Sequence, residues 1–244
     1  MAFITGFWAF TRKPLINSNP QHTSFKSKLI DVYKSIVSYF MIAIVLVILM
    51  SALSVLIKHF FSIEISKNWN DGMKKIVKVH NPILVMTVIG PITEEILFRL
   101  WLSFKRSHLI ISLTVICLVL IIKLNHASLY NINLSKALFY SLVLAVIGGM
   151  ALFLILKLCR FGNFKNKYFH VFYWCSCIGF GLIHILNFAP LKPAIFWAYP
   201  FFILPQLVAG SFLGYLRVKN GFFWALLMHS LINLPIALIY FFKS

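Results

Sequence analysis

Acidic residues are nearly missing from this chain. Only 5 of its 244 residues are Asp or Glu, and charged residues of both signs make up 11% of it. A soluble domain is about half apolar and about a quarter charged, whereas here the apolar share is 61% and the mean hydropathy is +0.90. The shortage of charge excludes a soluble globular protein, and the hydrophobicity excludes disorder. Paired cysteine motifs are missing too. None of the 4 cysteines forms a CxxC, and Cys175 and Cys177 point about 200° apart on a helix, so they do not share a metal and identify no redox compartment. No internal repeat and no low-complexity linker is present. The apolar patch at residues 2–10 is followed, not preceded, by Arg12 and Lys13, so a cleaved signal peptide is not expected. The remaining class is an all-α, polytopic integral membrane protein.

What is present is long apolar runs and basic charge. A membrane helix needs about 20 mostly apolar residues, and such runs occur at 35–57, 82–104, 107–122, 137–156, 168–188, 194–216 and 221–242. That predicts about seven transmembrane helices. Residues 1–34 form a basic, polar lead-in to a transmembrane domain over 35–244, and 58–80 is the longest loop. The 23 Lys and Arg produce a net charge of +18. On a soluble protein such charge would suggest nucleic acid. Here the basic residues lie between apolar runs, where they anchor to anionic headgroups. The expected partner is therefore the lipid bilayer, with no nucleic acid. Seven spans with the N-terminus inside put the larger share of Lys and Arg inside, so a cytoplasmic N-terminus is expected.

Ionisable groups inside a bilayer are costly and need a reason. Asp31, Glu64 and Asp71 lie in polar stretches, but Glu94 and Glu95 are adjacent within an apolar run. In Thr93-Glu94-Glu95-Ile96-Leu97-Phe98-Arg99, Glu95 and Arg99 are four apart and share a helix face, so they can pair. Glu94 is rotated about 100° from Glu95 and is left for other work. One Glu–Arg pair satisfies a packing role. A second carboxylate beside it does not, because like charges repel in low dielectric, and such a group suits general acid–base work. Gly90-Pro91 just before can kink the helix and free backbone carbonyls near the site.

Two further clusters carry histidine. In Phe180-Gly181-Leu182-Ile183-His184, Phe180 lies on the face of His184 and can pack under its ring, and Asn187 is one turn on. His184 alone fits a structural hydrogen bond as well as it fits chemistry. His229 and Asn233 share one face of the last run and fit either an interhelical clamp or a site. Gly210 and Gly214 have the spacing that lets helices approach closely. Together the three clusters hold the parts of a hydrolase: a Glu or His to take a proton from water, and a His and an Asn to donate to an oxyanion. Two His with a Glu also match zinc ligand sets, although no HExxH is present. No GxSxG supports a serine nucleophile.

EExxxR, FxxxH and HxxxN, in that order on separate apolar runs, resemble the CPBP intramembrane proteases. These are the CAAX protease and bacteriocin-processing (Abi) enzymes, related to the Ras-converting enzyme. The segment from Gly210 through Gly214 to Arg217, with Gly221 and Trp224 before His229, is also similar to the family. The resemblance spans about 82–233, with a protease-like core over 82–242. It implies an intramembrane endopeptidase acting on a peptide or membrane-associated protein. It further implies that Glu94 and His184 activate water, that His229 and Asn233 stabilise the oxyanion, and that Glu95 and Arg99 orient the site. A divalent metal such as zinc is left open by the resemblance, with Glu94, His184 and His229 as its ligands. Two features depart from the family: Leu100 follows Arg99 where glycine is common, and about 85 residues separate Arg99 from His184, which predicts an inserted helical hairpin over 107–160. The pattern suggests a bacterial member in the cell inner membrane. A non-proteolytic scaffold, immunity or regulatory protein on the same fold is the alternative, and a small transporter ranks below it because the carboxylates cluster at one depth.

Overall fold

A computed structural model describes residues 2–15, 24–65, 81–124 and 162–242, together with residues 143, 147 and 148. Among the described residues every regular element is helical. The α-helices are α1 (Ala2–Arg12), α2 (Phe25–Phe61), α3 (Pro82–Leu84), α4 (Gly90–Phe98), α5 (Arg106–Leu124), α6 (Gly162–Ile183), α7 (Tyr199–Phe202), α8 (Leu204–Lys219) and α9 (Phe222–Phe241). In the described part, four helices are long and apolar enough to cross a membrane: Phe25–Phe61, Lys167–Phe188, Pro193–Lys219 and Phe222–Phe241. The run at 107–122 lies in α5, and the run at 82–104 is broken into short pieces. The run at 137–156, apart from residues 143, 147 and 148, and with it most of the expected 107–160 hairpin, lies outside the described residues.

The second helix starts ten residues before the apolar run. Ser24 caps it, accepting from Ser27 N–H at 3.2 Å, and Ser62 ends it in the left-handed conformation at φ 55°. At 37 residues it is about 55 Å long, well beyond the roughly 30 Å of hydrocarbon. Its first turns therefore have a different job from the rest. Asp31 is buried there and accepts from Lys219 Nζ at 3.0 Å and Asn220 Nδ2 at 3.1 Å, fastening α2 to the end of α8. Farther along, most of its large side chains face outward, as expected for a helix solvated by lipid.

Part of the N-terminal lead-in also belongs to the core. Phe7 of α1 is buried and stacks on Phe212 of α8 with ring centroids 4.1 Å apart. By contrast, α8 is the covered centre of the molecule. Its Gly210 and Gly214 meet α6 as the spacing predicts. A Cβ on Gly210 would lie 3.2 Å from the Cys177 carbonyl, and one on Gly214 would lie 2.8 Å from the Tyr173 ring. Absent side chains thus set the α6–α8 separation, and Tyr173 Oη donates to the Ser211 carbonyl at 2.8 Å across it.

Candidate active site

The run that carries both glutamates cannot stay a regular helix, and each interruption has a local cause. Asn81 caps the start, accepting from Ile83 and Leu84 N–H, with Pro82 at the first position. A π-helical turn, Val85–Ile89, follows, in which Gly90 N–H reaches back five residues to the Val85 carbonyl. The next bond of that pattern would join residue 91 to Met86, but Pro91 has no N–H. The Met86 carbonyl is instead taken by Asn233 Nδ2 of α9 at 3.0 Å. The kink expected at Gly90-Pro91 therefore frees a carbonyl at the site, and Asn233 fills the gap.

The other end of α4 breaks as well. Arg99 leaves helical geometry at φ −126°, a 3-10 turn spans Leu100–Ser103, and Phe104 is left-handed at φ 55°. Carbonyls orphaned in a membrane protein must find donors. Ser112 of α5 donates to the Ile96 carbonyl at 2.7 Å and Ser176 of α6 to the Phe98 carbonyl at 2.5 Å. Arg217 of α8 donates from Nε and Nη2 to the Arg99 and Leu100 carbonyls at 3.2 and 3.3 Å. Three neighbouring helices thus hold the short segment that positions Glu94, Glu95 and Arg99. Sequence reasoning missed these three supports. The two serines showed only as lone polar side chains inside apolar runs, and Arg217 only as a basic residue at the end of one.

The ionisable groups then meet at the centre. Arg99 Nη1 pairs with Glu95 Oε1, and both side chains are fully buried, as their four-residue spacing predicts. Arg99 Cζ lies over the Phe180 ring, 4.1 Å from its centroid, a cation–π contact. Phe180 also stands edge-on to His184 at 4.9 Å and to His229 at 5.5 Å. One buried ring therefore orients three of the expected site residues, more than the packing under His184 that the sequence suggests.

Hydrogen bonding sets which nitrogens carry protons. His184 Nδ1 lies 2.7 Å from the Phe180 carbonyl, which can only accept. Nδ1 therefore bears the hydrogen, and in the neutral ring Nε2 is the acceptor. His229 Nδ1 lies 2.9 Å from Glu95 Oε1, and its Nε2 lies 3.4 Å from Glu94 Oε2. The carboxylate of Glu95, already paired with Arg99, accepts, so His229 Nδ1 donates to it. Glu94 differs from its neighbour in having a side chain that is 29% exposed, and it faces a cavity.

That cavity has a volume of about 190 Å³ and is lined by Glu94, His184, His229 and Asn233 together with Asn187 and Gln206. Glu95 and Arg99 lie behind its wall. All six expected site residues thus fall in or directly behind one cavity, drawn from α4, the bend after α6, and α9. A zinc ion would call on Glu94, His184 and His229. Among the described residues, no group of three His, Cys, Asp or Glu side chains is gathered closely enough to hold a metal. The three do not fit a ready-made zinc site in this arrangement.

The sequence profile of the family described as Type II CAAX prenyl endopeptidase Rce1-like matches residues 78–235, a stretch that contains every residue of this cavity's ionisable cluster. No curated protein and no solved structure gives a match.

Proposed function

The chain belongs to the Rce1-like type II CAAX prenyl endopeptidase family, and from that premise we propose which residues carry the hydrolysis and what they act on. Membership places the protein among membrane-embedded peptidases. In our reading, Glu94 is the base. Its carboxylate takes a proton from a water molecule whose second contact is Nε2 of His184. The water oxygen attacks the carbonyl carbon of the scissile bond, and the carbonyl oxygen gains the negative charge. His229 and the second N–H of Asn233 donate to that oxygen. The carbon–nitrogen bond then breaks, the leaving amine takes the proton held by Glu94, and a carboxylic acid and an amine result, the acid passing its proton on to the amine to give a carboxylate and an ammonium.

The observation that carries this reading is the division of labour between the two adjacent glutamates. Glu95 is sealed in and neutralised by Arg99, while Glu94 faces the cavity beside His229. The substrate is a membrane-associated protein or peptide. An apolar chamber of about 700 Å³ adjoins the cavity and shares Tyr39, Gln206, Ile232 and Ile236 with it, offering room for an apolar portion of that substrate.

The test compares protein termini in cells carrying wild type or Glu94→Gln at equal membrane abundance. Termini produced by the wild type alone establish the protease and name its substrate. Identical termini with a phenotype that survives the substitution leave a non-proteolytic scaffold. A chelator series on the purified protein addresses the metal. Cleavage is expected to persist through it, and loss of cleavage restored by added zinc would replace this reading with a metal-dependent one.

A further inference from the structure

A second polar cavity lies away from the peptidase centre. It has a volume of about 410 Å³ and joins the end of α1 to the start of the α6 span. Arg12 and Lys13 come from one side, and Lys167 and His170 from the other, with Trp174 at its wall. These segments are more than 150 positions apart in sequence, so their cations converge by folding and not by local composition. Like charges gathered this way repel unless something neutralises them.

The chain has little with which to do so. Asp31 is engaged by Lys219, Glu64 by Lys58, Glu95 by Arg99, and Glu94 faces the other cavity. Among the described residues no carboxylate lines this one. Among the described residues the chain thus supplies no counter-charge to this cavity, which leaves that part to a ligand. The cavity's position says of what kind. Lys167 opens a helix that is long and apolar enough to cross a membrane, and Trp174 is 37% exposed two turns further in, the arrangement of an interfacial tryptophan beneath a headgroup layer. Arginine and lysine together suit a phosphate, the first through its planar fork and the second as a point charge.

We propose that this cavity binds the phosphate of an anionic lipid headgroup, docking α1 onto α6 through the bound lipid. The site is separate from the peptidase chemistry.

The experiment uses the purified full chain in detergent micelles and counts bound molecules by native mass spectrometry. The probes are dioleoylphosphatidylglycerol, dioleoylphosphatidylcholine and inorganic phosphate. The test variant is Lys13→Gln/Lys167→Gln. Lys26→Gln/Lys34→Gln, in exposed positions of α2, removes the same charge elsewhere and controls for general attraction. The wild type and the control are expected to bind phosphatidylglycerol about 30-fold more tightly than the test variant, the weight of two surface cations, while phosphatidylcholine binding is the same in all three. Equal weakening in the test and control variants, or no weakening, overturns the site. Variant-dependent binding of inorganic phosphate without that of phosphatidylglycerol overturns the lipid as its source. Unchanged melting of the test variant in micelles without lipid separates lost binding from lost folding.

Discussion

Two adjoining cavities share part of a wall and have almost nothing else in common. The smaller holds Glu94, His184, His229 and Asn233, and freed backbone carbonyls of the segment carrying Glu94 are held by side chains of α5, α6, α8 and α9. The larger is lined mainly by aliphatic and aromatic side chains of α2 and of the segments around α7 and α9. The difference is one of tolerance. A polar group in a low-dielectric interior must keep its partners or pay heavily, so identity is fixed residue by residue in the first cavity. An apolar wall needs only volume and hydrophobicity, so identity in the second is exchangeable. Substitutions on the two sides should accordingly differ in kind as well as in size.

The strongest way to sharpen the contrast is Glu94→Gln. It is nearly isosteric and removes only the base, so the cleavage rate should fall by about 10²–10⁴-fold while abundance and melting in detergent stay at wild-type values. Retention of cleavage within tenfold would remove Glu94 from the mechanism. Arg99→Met comes next and acts on folding. It leaves Glu95 as a buried charge with His229 as its remaining partner, at a cost of up to about 3–5 kcal/mol, read as a lower melting temperature and reduced membrane abundance. The pair Glu95→Gln/Arg99→Met should recover most of that stability without recovering cleavage. If the single variant is as stable as wild type, the pair is not the anchor of α4.

Asn233→Ala tests both of the residue's bonds. It removes an oxyanion donor, worth about 10²–10³-fold in kcat, and it leaves the Met86 carbonyl without its partner. KM should change little. A loss confined to KM would make Asn233 a substrate-binding clamp with no part in the transition state.

How much of this was legible in the sequence follows the range of the interactions. The Glu95–Arg99 pair, the Phe180–His184 contact and the common face of His229 and Asn233 are all separations of four residues, and helical geometry alone places them. The kink at Gly90-Pro91 was legible for the same reason, since proline acts on its own turn. What escaped was long-range. Ser176 and Arg217 serve carbonyls 78 and about 118 residues away, and nothing local marks them as donors. The break after Phe98 was hidden too, because Leu100, Trp101 and Leu102 read as continued helix. Asp31 looked like a surface residue of a polar lead-in, yet it is buried against α8 by partners almost 190 positions on. Low charge density makes local motifs conspicuous, but it also leaves their distant supports looking like ordinary span residues.

The smallest expected effect probes the apolar side. Ala43 of α2 is buried against the larger cavity, and Ala43→Phe places a ring in its space without touching the ionisable groups. If an apolar part of the substrate occupies that space, the ring displaces one or two of its methylenes. At about 0.8 kcal/mol each, that raises KM by about 4- to 15-fold. Because the lost contact exists equally before and during the reaction, kcat should not move. A fall in kcat at constant KM would mean that the shared wall of Tyr39, Gln206, Ile232 and Ile236 transmits strain into the polar cavity. In that case the exchangeable side of the molecule would be less independent than its lining suggests. No change in either constant would mean that the substrate reaches Glu94 by another route, and the chamber would then lose its place in the reaction while the polar site kept its own.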